Sequence, residues 1–203
     1  MLSGDVLAFV DSSFFDLEPY DGVGRVGATG PRYRVDRGFT SGTYEIDGVD
    51  EGTPLWLDVV PDDASGDEMP TLLLTQPGAL LVDLKVARRS VVNSLLELLD
   101  DRRSVDAAEG SLFVAFVDSS GAPVSGVEVT RHPGAAVAYD DGPGMNQVVG
   151  STQARGMALI AGIPAGAVPG AFVAIDYTST AGGNKTVAVR VAGGAVTYVT
   201  ALP

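Results

Sequence analysis

Four carboxylates lie close together in the stretch PDDASGDEMP, where they are Asp62, Asp63, Asp67 and Glu68. Ca²⁺ binds several oxygen ligands of this kind at once, so the loop is a candidate calcium site. Its spacing departs from the D-x-[DN]-x-[DN]-G order of an EF-hand loop. We therefore interpret it as a solvated acidic loop, and keep calcium binding, with a calcium-dependent hydrolase, as the alternative.

His132 is the one histidine of the chain, and cysteine is absent. Ser-His-Asp catalysis needs a single histidine, but His132 precedes Pro133 in TRHPGA, where an exposed loop residue is expected. Di-histidine metal sites cannot form within one chain, and disulfides and thiolate sites are excluded. No nucleophile elbow, phosphate loop or dinucleotide fingerprint is present. The sequence therefore predicts no catalytic residue, no metal, no cofactor and no enzyme.

Acidic residues outnumber basic ones by 26 to 13, which gives a formal net charge of -13. Residues 1–87 contain 16 acids and 5 bases, whereas residues 110–203 contain 5 and 4. Such a surface repels phosphates, so nucleic-acid binding is not expected. No apolar run is long enough to span a membrane, and the start MLSGDVLAFVD lacks the basic region of a signal peptide. This start fits a cytoplasmic protein or a chain whose export signal has been removed.

The phrase AFVDSS occurs at residues 8–13 and again at 115–120. Two further pairs of stretches match in the same order, 41–52 with 154–166 and 71–87 with 186–202, at offsets of 114 and 115. Short apolar runs separated by Gly, Pro, Asp and Ser are typical of β-sandwiches. We therefore predict an all-β chain with tandem sandwiches at 1–87 and 110–203, joined by a helical linker at 88–109. The last strand of each half should close its sandwich, and VAVRVAGGAVTYV is predicted to be a hairpin.

The second half also carries two turn patterns with fixed glycine positions. The first is D-x-x-G-x-P-x-x-G-V-x-V, from Asp118 to Val129, and the second runs from Gly156 to Gly166. These patterns resemble the carboxypeptidase regulatory-like domains of the transthyretin-like (prealbumin-like), Ig-like sandwich class. Ala158 replaces the usual aromatic residue, which Tyr44 keeps in the more loosely similar first half. The resemblance implies a structural or binding module.

The predicted linker contains an amphipathic segment with apolar residues at helical spacing, namely Val92, Leu95, Leu96 and Leu99. A helix from about residue 91 to 101 is expected, with Ser90 as its N-cap. So short and apolar a helix needs a docking surface. It packs either against the sandwiches or against a second copy or another partner, so homo-oligomerisation stays open.

The stretch SSFFDLEPYDG is where the first half has an insertion relative to the second. In an extended chain Phe14 and Phe15 point to opposite faces, so only one of them readily enters the core. Together with Asp16, Glu18 and Tyr20 they form our candidate contact loop. The alternative is that the protein itself covers this loop. Trp56, in contrast, is expected in the core.

These observations favour a non-enzymatic binding or adhesion-type module that presents loops or edges to a protein or a surface polymer. As part of this hypothesis we expect an extracytoplasmic place, periplasmic or on a bacterial cell surface. The alternative is a structural spacer within a larger envelope or secretion assembly. The identity of the partner cannot be derived from the residues.

Overall fold

The computed structural model describes the chain except residues 11–15, 31–33, 50–53, 63–64, 76–80, 100–102, 146–149, 166–170 and 181 and the side chain of Ala171. The described residues form sixteen strands and one helix, so the predicted all-β class is confirmed. In this part of the chain no helix has the length and apolar character needed to span a bilayer.

The chain divides into two compact units, and the boundary between them falls between Val91 and Val92. This boundary lies inside the predicted linker at 88–109. The nine strands of the first unit and the helix that follows them are β1 (Leu2–Phe9), β2 (Leu17–Pro19), β3 (Val23–Thr29), β4 (Arg34–Thr40), β5 (Thr43–Ile46), β6 (Trp56–Pro61), β7 (Glu68–Met69), β8 (Thr71–Leu74), β9 (Leu84–Arg88) and α1 (Arg89–Leu99).

The first unit is built on one sheet with the order β8-β6-β3-β4-β5-β1-β9-β7, and β2 pairs with β1. Side chains alternate as the strand period requires: Tyr44 and Ile46 of β5 are buried, whereas Thr43 and Glu45 are exposed. The sheet folds back so that β9 also lies against β6 and β8. Trp56 is only 8% exposed, which confirms its predicted place in the core.

The second unit contains two sheets, β12-β13-β10-β16 and β11-β14-β15. Phe116 of the first sheet packs on Tyr177 of the second, with ring centroids 4.9 Å apart, as expected for a sandwich. Its seven strands are β10 (Glu109–Phe116), β11 (Val127–Arg131), β12 (Ala136–Tyr139), β13 (Met157–Pro164), β14 (Ala171–Ser179), β15 (Gly183–Val191) and β16 (Val196–Ala201).

Both units place their first strand between an antiparallel and a parallel neighbour. In the first, β1 pairs antiparallel with β5 and parallel with β9. In the second, β10 pairs antiparallel with β13 and parallel with β16. Leu2 lies opposite Ile46, and Leu112 lies opposite Ile160. The last strand of each unit therefore pairs with its first strand.

The turn before the antiparallel neighbour is also built alike. The N–H of Val6 donates to the carbonyl of Gly42, and that of Phe116 donates to Gly156, both over 2.7 Å. Gly42 and Gly156 keep the predicted offset of 114. The first strands, however, correspond at an offset of 110, because Val6 takes the place of Phe116. The two AFVDSS copies are therefore displaced by three residues along their strands.

The predicted hairpin around Gly193 and Gly194 is wrong. β15, before these glycines, pairs with β14, whereas β16, after them, pairs with β10 in the other sheet. The alternating sequence correctly marked two strands. Gly194, with φ of 66°, turns the chain from one sheet into the other rather than back along the same sheet.

Helix α1 begins at Arg89, and its first turn is capped by a distant side chain. The N–H of Ser90 donates to Oδ1 of Asp67 over 2.9 Å, and the Ser90 hydroxyl donates to Oδ2 over 3.0 Å. The predicted N-cap role of Ser90 is therefore corrected, since Ser90 is helical and Asp67 supplies the acceptor. A carboxylate also interacts favourably with the positive end of the helix dipole.

Asp67→Ala is expected to lower the free energy of unfolding by about 1 kcal/mol, the usual cost of losing a helix cap. Asp62 belongs to the same loop but is exposed and does not cap the helix, so Asp62→Ala is the matched control. Urea unfolding followed by far-ultraviolet circular dichroism measures both. Equal losses in the two variants would show that the loop charge matters, not the cap.

Candidate functional site

The sheet β11-β14-β15 of the second unit has a central strand and two edges. Residue pairs run antiparallel from Ala171 opposite Val191 to Ser179 opposite Gly183, so β15 is paired with β14 over its full length of nine residues. On the other side, β11 pairs with the later part of β14 and carries an irregularity between Val129 and Arg131. The two edges differ in how their outer backbone groups are satisfied.

The β11 edge is covered. The N–H of Val127 donates to the Thr152 hydroxyl over 3.0 Å, and the Val127 carbonyl accepts from the N–H of Thr152 over 2.9 Å. The N–H of Val129 donates to the Tyr139 hydroxyl over 2.9 Å. Three outward backbone groups of this edge therefore have partners within the unit.

The same bonds fix the direction of the backbone in β15. In an antiparallel ladder, successive residues direct their N–H and C=O groups alternately toward one neighbour and then the other. The N–H and C=O groups of Val127 point away from β14. Those of its opposite residue, Ser179, therefore point toward β15, and so do those of Tyr177. Lys185, opposite Tyr177, therefore bonds to β14, and the residues that face outward are Asn184, Thr186, Ala188 and Arg190. The carbonyl of Arg190 accepts from the Thr197 hydroxyl over 2.8 Å, which agrees with this direction.

Asn184, Thr186 and Ala188 form an open edge. All three residues are exposed, and no strand among the described residues pairs with their outer side. Natural proteins usually cover or shorten such edges because unpaired backbone groups recruit further strands. Against the addition of a further strand, this edge carries one lysine, Lys185. The ammonium group of Lys185 donates to the Leu202 carbonyl over 3.3 Å.

A row of three hydrogen-bonded polar side chains crosses the sheet beside the open edge. Asp176 of β14 accepts from the Thr186 hydroxyl and from Nε of Arg131, each over 2.7 Å. The Thr186 hydroxyl, followed by Arg131, lowers the pKa of Asp176. The carboxylate therefore stays ionised at pH values below those at which an aspartate usually takes up a proton. The row joins all three strands. We define the open edge, with Lys185 and this row, as the candidate site.

The predicted contact loop is found only in part. Phe14 and Phe15 lie outside the described residues. Asp16 is exposed, and Glu18 forms an ion pair with Arg88 over 2.7 Å.

Tyr20 corrects the predicted composition of that loop, because it is only 5% exposed and belongs to the core. Its ring packs edge-on against Phe39 with centroids 6.0 Å apart, and its hydroxyl donates to Glu68. An aromatic ring with a satisfied hydroxyl is buried at low cost. The acidic residues around Tyr20 in the sequence therefore gave a false indication of exposure.

Three residues of the predicted helix interface are buried within the chain: Val92, Leu95 and Leu96 are 0, 1 and 2% exposed. Leu99 is half-buried. The surface predicted for a second copy is therefore not accessible at its centre. In the acidic loop, Asp67 caps α1 and Glu68 binds Tyr20, while Asp63 lies outside the described residues. Within the described part of the chain no cluster of three metal-ligating side chains occurs.

Sequence reasoning missed the open edge. The stretch GNKTVAVRV reads as a strand, but its alternation is the same for an edge strand as for a central one. Whether a strand is central or at an edge depends on its neighbours, and the sequence assigned β15 to the wrong neighbour.

Comparison with known proteins gives little. No family model and no curated protein matches the chain. Two solved structures are similar to it: the Bacillus anthracis TIE protein, at 10% identity, and a streptococcal ancillary pilin, at 9%. The matches cover 99% of this chain, and 34% and 68% of those chains, each with a TM-score of 0.28. This chain spans about a third of the length of the TIE protein. The TM-scores are too low to assign a role of either protein to this chain.

Proposed function

We propose that this protein is a non-enzymatic binding module that holds an extended segment of a partner protein by strand addition to β15. The open edge of Asn184, Thr186 and Ala188 carries this proposal, because the opposite edge of the same sheet is covered by Thr152 and Tyr139. In strand addition, backbone hydrogen bonds supply the affinity and alternate side chains supply the specificity.

The geometry defines what the edge accepts. Each of the three outward residues offers one N–H and one C=O, and each bond contributes about 0.5–1.5 kcal/mol. A partner strand of about five residues would use all of them at a rise of about 3.3 Å per residue. On the outer face its side chains would meet Thr186 and Ala188, which are small enough to allow close approach.

The proposal includes a transthyretin-like second unit and an extracytoplasmic location in a bacterial cell envelope. Support for the fold comes from the turn glycines of the resemblance: Gly121, Gly126 and Gly156 have φ of 84°, 77° and 64°. These positions need glycine because other residues rarely adopt positive φ. The location is an expectation from the sequence, and fractionation of the producing cells tests it.

Ala188→Pro is expected to abolish partner binding. Proline removes the outward N–H of residue 188 but leaves the ladder with β14 intact, since that N–H does not take part in it. Ala188→Ser keeps the N–H and is the matched control. The measurement places a photo-crosslinking residue at Asn184 in producing cells and follows the crosslinked product in both variants.

A product that forms with the parent chain and the Ser variant but not with the Pro variant supports strand addition. Equal products from all three would place the contact elsewhere. If no product forms, the proposal fails and the structural-spacer hypothesis is favoured. Unchanged melting temperatures confirm that each variant is folded.

A further inference from the structure

A groove of about 560 Å³ crosses the outer face of β4, β5 and β1 in the first unit. Among the residues that line it are five outward-facing side chains with oxygen atoms and one exposed leucine. These six residues are Ser3, Asp5, Thr40, Thr43, Glu45 and Leu81. The groove lies in a different unit from the open edge.

The oxygen atoms lie in two rows. Asp5 lies opposite Thr43, which lies opposite Thr40, so one row crosses three strands. Ser3 lies opposite Glu45 in the second row. Neighbouring strands are about 4.8 Å apart, and residues two apart along a strand are about 6.6 Å apart. The burial of Tyr44 and Ile46 on the inner face fixes this arrangement, because it forces Thr43 and Glu45 outward.

The side chains in these rows make no hydrogen bond and no ion pair with any described residue. Farther along the same outer face the opposite holds, because Arg34 binds Asp36 over 2.9 Å and Asp58 over 2.8 Å. The groove therefore offers two carboxylates and three hydroxyls whose hydrogen-bonding capacity is not used within the described part of the protein.

Leu81 adds an apolar contact at the rim. It is 80% exposed although it forms an isolated bridge with Ser3, which holds its backbone beside the rows. Leaving a leucine in water forgoes about 1.5–3 kcal/mol of burial, which a bound molecule could recover. A polar floor with one apolar rim is suited to a ligand that has both hydroxyl groups and C–H faces.

We propose that this groove binds a polysaccharide whose sugars carry free amino groups. The sugar hydroxyls would bond to the Ser and Thr hydroxyls and to the carboxylates, and the ammonium groups would pair with Asp5 and Glu45. The C–H faces would pack on Leu81. Polymers with carboxylates, sulfates or phosphates are excluded by charge, because residues 1–87 contain 16 acids and 5 bases.

Isothermal titration calorimetry with a glucosamine hexasaccharide tests the proposal, at a pH where its amines are charged. The expected result is saturable binding that falls at least tenfold in the Asp5→Asn/Glu45→Gln double variant. Asp21→Asn/Glu97→Gln removes the same charge from exposed positions that do not line the groove and should leave the affinity unchanged. Leu81→Ser should weaken binding severalfold.

Three outcomes would overturn the proposal. The first is no binding at millimolar hexasaccharide, and the second is an equal loss in the two double variants. The third is hexalysine binding with the same affinity and the same dependence on Asp5 and Glu45, which would indicate a general cation or peptide surface. The N-acetylated hexasaccharide should bind at least tenfold more weakly, and equal binding would also overturn the proposal, because the amines would then play no part. All the substituted residues are exposed, and a thermal melt verifies the fold of each variant.

Discussion

Asp140→Ala is expected to lower the free energy of unfolding by about 2–4 kcal/mol, because it leaves buried backbone donors without acceptors. Asp140 is 0% exposed and follows β12. Its Oδ1 accepts from the N–H of Gln153 over 2.9 Å and of Met157 over 3.0 Å, and its Oδ2 accepts from that of Arg155 over 2.8 Å. One carboxylate therefore organises the whole turn that leads into β13.

Two variants separate this role from general effects. Asp140→Asn keeps the size, but its amide N–H₂ group must face one of the three donors, so an intermediate loss is expected. Asp118→Ala is the matched control, because Asp118 also accepts three bonds, from the N–H and hydroxyl of Ser120 and the N–H of Ala122. Asp118 is exposed, so water replaces those bonds and the loss should be much smaller. Urea unfolding that gave equal losses for Asp140→Ala and Asp118→Ala would contradict the burial argument.

Gly156→Ala is expected to lower the free energy of unfolding by about 2–5 kcal/mol. Two effects add up: a positive φ of 64°, which costs a residue with a Cβ about 1–2 kcal/mol, and a steric overlap, which costs about 1–3 kcal/mol. A Cβ at Gly156 would lie 2.6 Å from the carbonyl oxygen of Phe116 and 2.8 Å from the nitrogen of Val124. Both are backbone atoms, which cannot move aside without breaking the strand pairing.

Gly121→Ala is the control that isolates the steric part. Gly121 has a φ of 84°, yet a Cβ there would meet nothing within 4 Å. We therefore expect only the conformational cost. Chemical unfolding of both variants gives the difference, and equal losses would mean that the close approach at Gly156 relaxes without cost.

Local features of this fold were accessible from the sequence. The glycine positions of both turns and the strand character of VAVRV follow from short-range chemistry. Alternation in β5 shows which side chains face outward, because the strand period admits only two faces. The alternation does not predict which strand lies next to β5.

The errors share this physical origin. AFVDSS suggested an offset of 107, but the first strands correspond at 110, because turn bonds to Gly42 and Gly156 set the register. The groove and the open edge could not be predicted for the same reason, because both depend on which strands are neighbours. Asp5 and Thr43 are 38 positions apart in the chain, and only strand pairing brings them side by side.

The position of the unit boundary within α1 bears on how the halves can be produced separately. A truncated polypeptide ending at Val91 would keep three helical residues, too few to nucleate a helix, and would leave Asp67 without its first turn to cap. Extending the fragment to Leu99 retains the complete helix together with its buried residues Val92, Leu95 and Leu96. Any dissection of this protein therefore has to keep residues 89–99 in one piece.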